Sequence, residues 1–242
     1  MIFLYEEVIK LKELIGKSAA ELIGEIAVKV QTSQGLTIRE FSFVQYRPKL
    51  HENPNQIRAI KEPGDEVFFR LTPDQIMADR LQSEIKAAHK HSNILGFNST
   101  VIVEPFREFD SPIFCHLLLL DIVLPPSPEN ISILKKQLRE RLGLNSGAIV
   151  ASSLGGMHFY GTELLSVSDW LAYLGQSLLM NHQEHGEQII DERHIGHSII
   201  PFPYMEERNP IHSQPLNLAL FSTLRISSLP SKPLPYVIDV LD

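Results

Sequence analysis

Phe114-Cys115-His116-Leu117-Leu118-Leu119-Leu120-Asp121-Ile122-Val123 is a short apolar run interrupted by one carboxylate. From Leu117 to Val123 every residue is aliphatic except Asp121. Pro112 precedes the run and Pro125-Pro126 follow it. A run of this length between prolines predicts a buried central strand and not a helix. Burying a carboxylate there without a partner would cost several kcal/mol. Asp121 is therefore expected at the open end of the strand, facing a metal, an arginine or a ring of backbone amides.

Outward from this strand, Ser127-Pro128 predicts a helix start, with Ile131, Leu134, Leu138 and Leu142 on its apolar face and Gly143 as its stop. Ala148–Ser153 and Met157–Tyr160 predict a strand pair around Leu154-Gly155-Gly156. Ser166-Val167-Ser168-Asp169 is a capping box, and the helix after it buries the single Trp170. Upstream, residues 4–16 predict an amphipathic helix through Leu4, Val8, Leu11 and Ile15. Ile26, Val28 and Val30 alternate, and with the run 37–46 they predict a β-hairpin across Ser33-Gln34-Gly35. Residues 66–71 predict a strand. Thr72-Pro73-Asp74-Gln75 starts a helix to about Asn93, and Ser99–Glu104 is a further strand. Near the end, 218–227 predicts a strand, after an irregular stretch from Pro201 to Pro215 with four prolines, and 230–235 an extended tail. Strand, helix, strand pair, helix, strand is the order of split βαβ units in ferredoxin-like and RRM-like folds.

Two later stretches carry chemistry that would meet Asp121. One is Gly155-Gly156-Met157-His158-Phe159-Tyr160-Gly161, and the other is Ile189-Ile190-Asp191-Glu192-Arg193-His194-Ile195-Gly196-His197. An apolar strand ending in Asp, a Gly-rich strand with His, then two aliphatics and Asp resembles the three ordered motifs of the archaeo-eukaryotic primase superfamily. The resemblance spans roughly 113–228. It implies an α+β fold: a primase-type catalytic core with an RRM/ferredoxin-like unit packed on a second small α/β layer. The expected organisation is a single domain over 1–242, with an N-terminal α/β part over 1–110 and a motif-bearing part over 111–242. It further implies Asp121 and Asp191 as metal ligands for Mg²⁺ or Mn²⁺. His158 is implied as the residue on the incoming nucleotide's phosphates. Gly156, Arg193, His197 and Arg225 complete the implied nucleotide site. The implied activity is joining of nucleotides from nucleoside triphosphates on a nucleic-acid template, single-stranded DNA being one such template. The family's first motif normally carries a second carboxylate two residues on. Here that position is Val123, and alternation along a strand points both residues to one face. This leaves open a non-catalytic primase-fold module that binds nucleotide or nucleic acid and acts through a partner. A third reading is a metal-dependent phosphoesterase using His158, His194 and His197 with Asp191.

Composition excludes several classes. Apolar residues make up 43% and charged residues 21% of the 242-residue chain, which is ordinary for a folded domain. No run of about 18 apolar residues exists to span a membrane. The N-terminal stretch has early acids and no small-residue cleavage site, so a signal peptide is not expected and a cytoplasmic location is. The lone Cys115 makes no internal disulfide and reads as a small buried hydrophobe. There is no complete GxxxxGK[ST] phosphate loop, no CxxC pair and no HExxH, which leaves P-loop NTPase, zinc-ribbon and zincin chemistry unsupported. No zinc module or helicase motif is seen, so a helicase or other priming partner is expected on a separate chain. The formal charge is −7, unfavourable for generic nucleic-acid binding, which phosphate neutralisation dominates. Binding then needs a local basic patch or a bridging metal. The candidate patches are Arg47, Lys49, Arg58 and Lys61 in a polar loop, and the helical stripe Lys135, Lys136, Arg139 and Arg141.

Overall fold

The computed structural model describes residues 11–46, 66–104, 113–181, 188–199, 220–229 and 232–241. Its strands are β1 (Ile38–Tyr46), β2 (Val67–Leu71), β3 (Ile94–Val103), β4 (Ile113–Ile122), β5 (Gly147–Ser153), β6 (Gly156–Leu165), β7 (Thr223–Arg225) and β8 (Tyr236–Leu241). Its α-helices are α1 (Ala19–Gln34), α2 (Pro73–Met77), α3 (Arg80–Lys90), α4 (Pro128–Leu142), α5 (Val167–Ser177) and α6 (Glu192–Ser198). The result is a mixed α+β fold around an antiparallel sheet of order β2-β1-β3-β4-β6-β5-β8, with β7 added on β3. Among the described residues no helix is long and apolar enough to cross a membrane.

The run Leu117–Leu120 lies in β4 with 0–2% of its surface exposed. Alternation sends Leu117 and Leu119 into one core with Leu22, Ile26 and Val30 of α1 and Tyr160 of β6. Leu118, Leu120 and Ile122 enter a second core with Leu134 and Leu138 of α4 and Trp170 and Leu174 of α5. A strand covered on both faces reads as continuous hydrophobicity, which is why four consecutive leucines occur here. β4 and β5 are joined through α4, and β6 lies between them, antiparallel to both. β4 and β5 therefore run in the same direction.

The predicted hairpin of 26–31 with 37–46 is replaced by a helix and a strand. The segment Ala19–Gln34 is α1, and β1 pairs with β2 and β3. Ile26, Val28 and Val30 alternate, but Leu22, Ile23, Ile26, Ala27 and Val30 also recur at helical spacing, and those five are buried while Val28 is only half-buried. Local chemistry decides the period. The Ser18 amide donates to Glu21 Oε2 at 2.8 Å and the Glu21 amide donates to Ser18 Oγ at 3.3 Å, a reciprocal capping box. Gly35 then closes the helix at φ 66°, its amide donating to the Gln31 carbonyl. The helix predicted from Thr72 to Asn93 starts with the expected Thr72–Gln75 box but is broken in two, with Asp79 at φ 61° between α2 and α3. The strand predicted over 218–227 is only three residues of β7. Of the predicted helix 4–16, the described part is a 3₁₀ turn, Leu11–Leu14. The basic loop residues Arg47, Lys49, Arg58 and Lys61, and the proline-rich stretch 201–215, lie outside the described residues.

β3 and β4 pair only from Thr100–Val103 to Ile113–His116. Beyond that point they separate. β7 adds to β3 at Gly96–Asn98, and Ile189–Asp191 adds to β4, where Ile122 bridges Ile190 and the Val123 amide donates to the Ile189 carbonyl at 2.9 Å. The sheet is thus split beside the end of β4.

Gly24 sits in the middle of α1, and a methyl group there would meet Ile76 Cγ2 at 3.6 Å, an ordinary contact. Gly24→Ala should raise stability to urea by about 0.5 to 1 kcal/mol, the helix-interior cost of glycine. A loss of stability would contradict the helical assignment.

Candidate functional site

Asp121 and His158 are directly paired across β4 and β6. His158 Nε2 lies 3.9 Å from Asp121 Oδ1. The approach of the two strands depends on Gly156 at the start of β6: a side chain there would bring Cβ to 3.0 Å from the Ile122 carbonyl oxygen. Gly156 therefore acts in this structure by letting β6 lie against β4. His158 is buried, and burial first, then the charges of Arg225, His194 and Lys232, hold it well below the usual imidazole range. It is neutral at pH 7. Its Nδ1 and the Tyr160 hydroxyl are buried polar atoms without a hydrogen-bond partner among the described residues.

Asp191 is brought to Asp121 by the added rung on β4: the Asp191 amide donates to the Asp121 carbonyl at 2.9 Å. Asp191 is also the N-cap of α6, accepting the Arg193 amide on Oδ1 at 2.9 Å. The Arg193 guanidinium then takes both carboxylate oxygens, Nε to Oδ1 at 3.1 Å and Nη2 to Oδ2 at 3.0 Å. Burial pushes the Asp191 carboxyl up, but these hydrogen bonds and the arginine charge outweigh it and hold it below the usual range. Asp121 has no such arginine fork among the described residues. Burial and then the Asp191 charge push its pKa up to about 6, against the pull of Lys232, Arg193 and Arg225. Two carboxylates in electrostatic contact, one raised and one lowered, mark a pair whose repulsion a cation would relieve.

Arg225 sits on β7, and its guanidinium is spent on the backbone. Nη1 donates to the Ser227 carbonyl and, at 3.0 Å, to the Pro233 carbonyl, while Nη2 donates to the Ser152 carbonyl. Its charge still reaches Asp121 and His158. His194 and His197 both lie on α6, but His194 Nε2 is 3.1 Å from the Leu119 carbonyl oxygen. A nitrogen that donates to a carbonyl does not coordinate a metal. Among the described residues no group of three or more His, Cys, Asp or Glu is arranged to hold a metal ion, so the three-histidine phosphoesterase site has no geometric support.

The basic stripe of α4 is not beside Asp121. Leu134 and Leu138 of α4 enter the core on the Leu118 side of β4, whereas alternation puts Asp121 on the Leu119 side. Lys135 pairs with Asp239 on β8 at 3.1 Å, and Lys136 and Arg139 line an open cleft of about 500 Å³ there. The residue missed by sequence reasoning is Lys232, an exposed side chain whose charge reaches both Asp121 and His158. The only available signal was that it is the single lysine after residue 150.

The family model for archaeo-eukaryotic primase 1D-like proteins matches residues 72–202, just over half of the chain. The chain belongs to this primase family. Among curated proteins and among solved structures, none matches it. The matched span holds Asp121, His158 and Asp191 in the order that the three-motif resemblance requires, and ends before Arg225 and Lys232.

With its pKa raised, Asp121 in the folded protein keeps a proton that the unfolded chain has lost between about pH 4 and 6. Its contribution to stability is therefore present at low pH and declines as pH rises through that window. The side chain retains 38% exposure, so water screens part of the effect. Thermal melts from pH 4 to 7 should show this decline in wild type and its absence in Asp121→Asn. Arg225→Ala should lower stability by about 1.5 to 3 kcal/mol, because it removes a charged donor from three carbonyl acceptors. Unchanged denaturant midpoints would refute that role.

Proposed function

We propose that this primase-family chain binds a nucleoside triphosphate together with one Mg²⁺ or Mn²⁺ at Asp121 and Asp191, and joins nucleotides on a nucleic-acid template. The observation that carries this reading is the adjacency of Asp121, His158 and Asp191, delivered from β4, β6 and the segment before α6 to one end of the split sheet. The mutual repulsion of the two aspartates fits a cation. The donor set is short, because both Asp191 oxygens bond Arg193 and position 123 is valine. Cation binding would thus need oxygens from the triphosphate. When bound, the ion would neutralise charge between primer oxygen and triphosphate. His158, being neutral, offers one ring N–H to a phosphate oxygen. Arg193 and Arg225 contribute fixed positive charge to the same place. The β4–α4–β5 connection around β6 supports an RRM/ferredoxin-like unit in this half. Strands from both halves share one sheet, which supports a single domain over 1–242.

A second reading, a non-catalytic module that holds nucleotide or nucleic acid for a separate helicase or other partner, is favoured by the same two departures. Val123 is apolar and half-buried, and Asp191 is already neutralised by Arg193.

Incubation with labelled nucleotides, a single-stranded template and Mg²⁺ or Mn²⁺ separates the readings. Extension supports the first, binding of nucleotide or template without turnover supports the second, and absence of binding to either removes both. Calorimetry adds a reciprocal test. Mn²⁺ affinity should rise with nucleotide present, and nucleotide affinity should rise with Mn²⁺ by the same factor. Val123→Asp should tighten Mn²⁺ binding in the nucleotide-free protein. Unchanged Mn²⁺ affinity in a folded Val123→Asp protein would place residue 123 away from any metal site.

A further inference from the structure

The outer edge of β4 changes partner beside the site, and two side chains outside the ligand set complete that change. Along a ladder the N–H and C=O of one residue point to the same edge, and the edge alternates from residue to residue. The Asp121 carbonyl accepts the Asp191 amide at 2.9 Å, and the Val123 amide donates to the Ile189 carbonyl at 2.9 Å. Leu119 turns the same way. β3 pairs with β4 only as far as His116, and the Leu119 carbonyl is met instead by His194 Nε2 at 3.1 Å. A carbonyl only accepts, so Nε2 carries the proton. The imidazole on α6 thus supplies the rung that follows the Asp191 amide along β4.

Asn181 holds the same segment from the other side. It ends the 3₁₀ turn Leu178–Asn181 after α5, anchored by the fully buried Met180. Its Oδ1 accepts the Ile189 and Ile190 amides, each at 2.8 Å. Its Nδ2 donates at 3.1 Å to the Ile190 carbonyl and to Glu192 Oε1. Two acceptor lone pairs and two N–H groups are all used. Ile189 and Ile190 are 1% and 0% exposed, so their amides have no water to turn to. α6 itself has seven residues and buries only Ile195 and Ser198, too short a helix to be stable without tertiary contacts. The place of Asp191 is therefore decided by what Asn181 and His194 grip.

We propose that Asn181 and His194 are positioning residues that hold Asp191 against Asp121, so that both carboxylates are set at one place before a ligand arrives. The step from this geometry to nucleotide binding rests on the reading above. A site whose carboxylates must first be assembled binds more weakly, in proportion to the fraction of molecules in which they are assembled. Asn181 raises that fraction without adding charge beside the aspartate pair.

The test compares wild type, His194→Leu, His194→Gln and Asn181→Asp as full chains, well below their melting temperatures. His194→Leu removes the N–H and keeps an apolar side chain, and His194→Gln places an amide N–H at similar reach. Asn181→Asp keeps the acceptor for both amides and sets an oxygen against the Ile190 carbonyl and Glu192. NMR reads the scalar coupling across the hydrogen bond from the Asp191 amide to the Asp121 carbonyl, and calorimetry reads ATP affinity in Mn²⁺. The coupling should be present in wild type and His194→Gln, and weakened or lost in His194→Leu and Asn181→Asp. ATP affinity should fall about five- to a hundredfold in the latter two, the scale of leaving a buried polar group unpaired, and return in His194→Gln. An unchanged coupling in either variant overturns the assignment of that residue. A lost coupling with unchanged ATP affinity, or a fall in melting temperature alone, makes both residues structural and also overturns it. The coupling reports on the protein without ligand, so failure of wild type to bind ATP is a separate result: it removes the nucleotide reading and the role assigned here.

Discussion

Burial of β4 on both faces is the constraint from which the other features of this structure descend. Each fully buried leucine contributes about 1.5 to 3 kcal/mol, and Leu117–Leu120 are all buried, two toward α1 and two toward α4 and α5. A strand so placed has to be flanked by partners along both edges, since unpaired backbone groups in a core are costly. β6 serves one edge from His116 to Ile122. The other edge is served first by β3 and then by Ile189–Asp191. That change of partner is also what delivers Asp191 to Asp121. The site is a by-product of how the central strand satisfies its backbone.

Polarity at this end is tolerated because it is graded. Asp121 keeps 38% of its side chain exposed, while His158, one strand over, is buried and neutral. Exposure lets the carboxylate ionise, and burial keeps the imidazole uncharged. A charged histidine beside Asp121 would have paired with it and quenched the anion. Instead the histidine contributes only dipoles, and the aspartate remains available. The arginines nearby are restrained in the same manner. Arg193 is spent on a helix N-terminus, where a carboxylate cap is favoured anyway, and Arg225 is spent on carbonyls that the end of β7 and the end of β5 would otherwise leave open.

What was legible in the sequence was local. The caps at Ser127, Thr72, Ser166 and Asp191 rely on a side chain and an amide two or three residues apart, so their chemistry is written in the chain. The leucine run and the Gly155-Gly156 turn announce β4 and the β5–β6 hairpin for the same reason, and with them the places of Asp121 and His158 in the sheet. The region from Ala19 to Gln34 was illegible by pattern because its apolar residues satisfy both periods at once. Only the Ser18–Glu21 box distinguishes them, and the alternation of Ile26, Val28 and Val30 masks it. The fate of Arg225 was not legible at all. Its acceptors are backbone carbonyls at 152, 227 and 233, which carry no residue signature. The place of the α4 stripe was illegible for a related reason: which core the apolar face of α4 enters decides where Lys135 and Arg139 lie, and that choice is made by the sheet.

The family's second carboxylate and the Arg193 fork are linked by electrostatics. Burial and then the Asp191 charge already push the Asp121 pKa up to about 6. A third carboxylate at position 123 would push the group further toward protonation, unless a cation stood there permanently. With valine at 123, the remaining negative charge is small enough for one arginine to balance. Arg193 does so from within the same helical turn, without recruiting an ion. On the reading proposed above, a cation entering the site would have to compete with Arg193 for Asp191. A ligand that brings its own negative oxygens changes that competition. It gives Arg193 an alternative partner and the cation additional donors at the same moment. On the reading proposed above, valine at 123 would make cation binding depend on an anion that arrives with it.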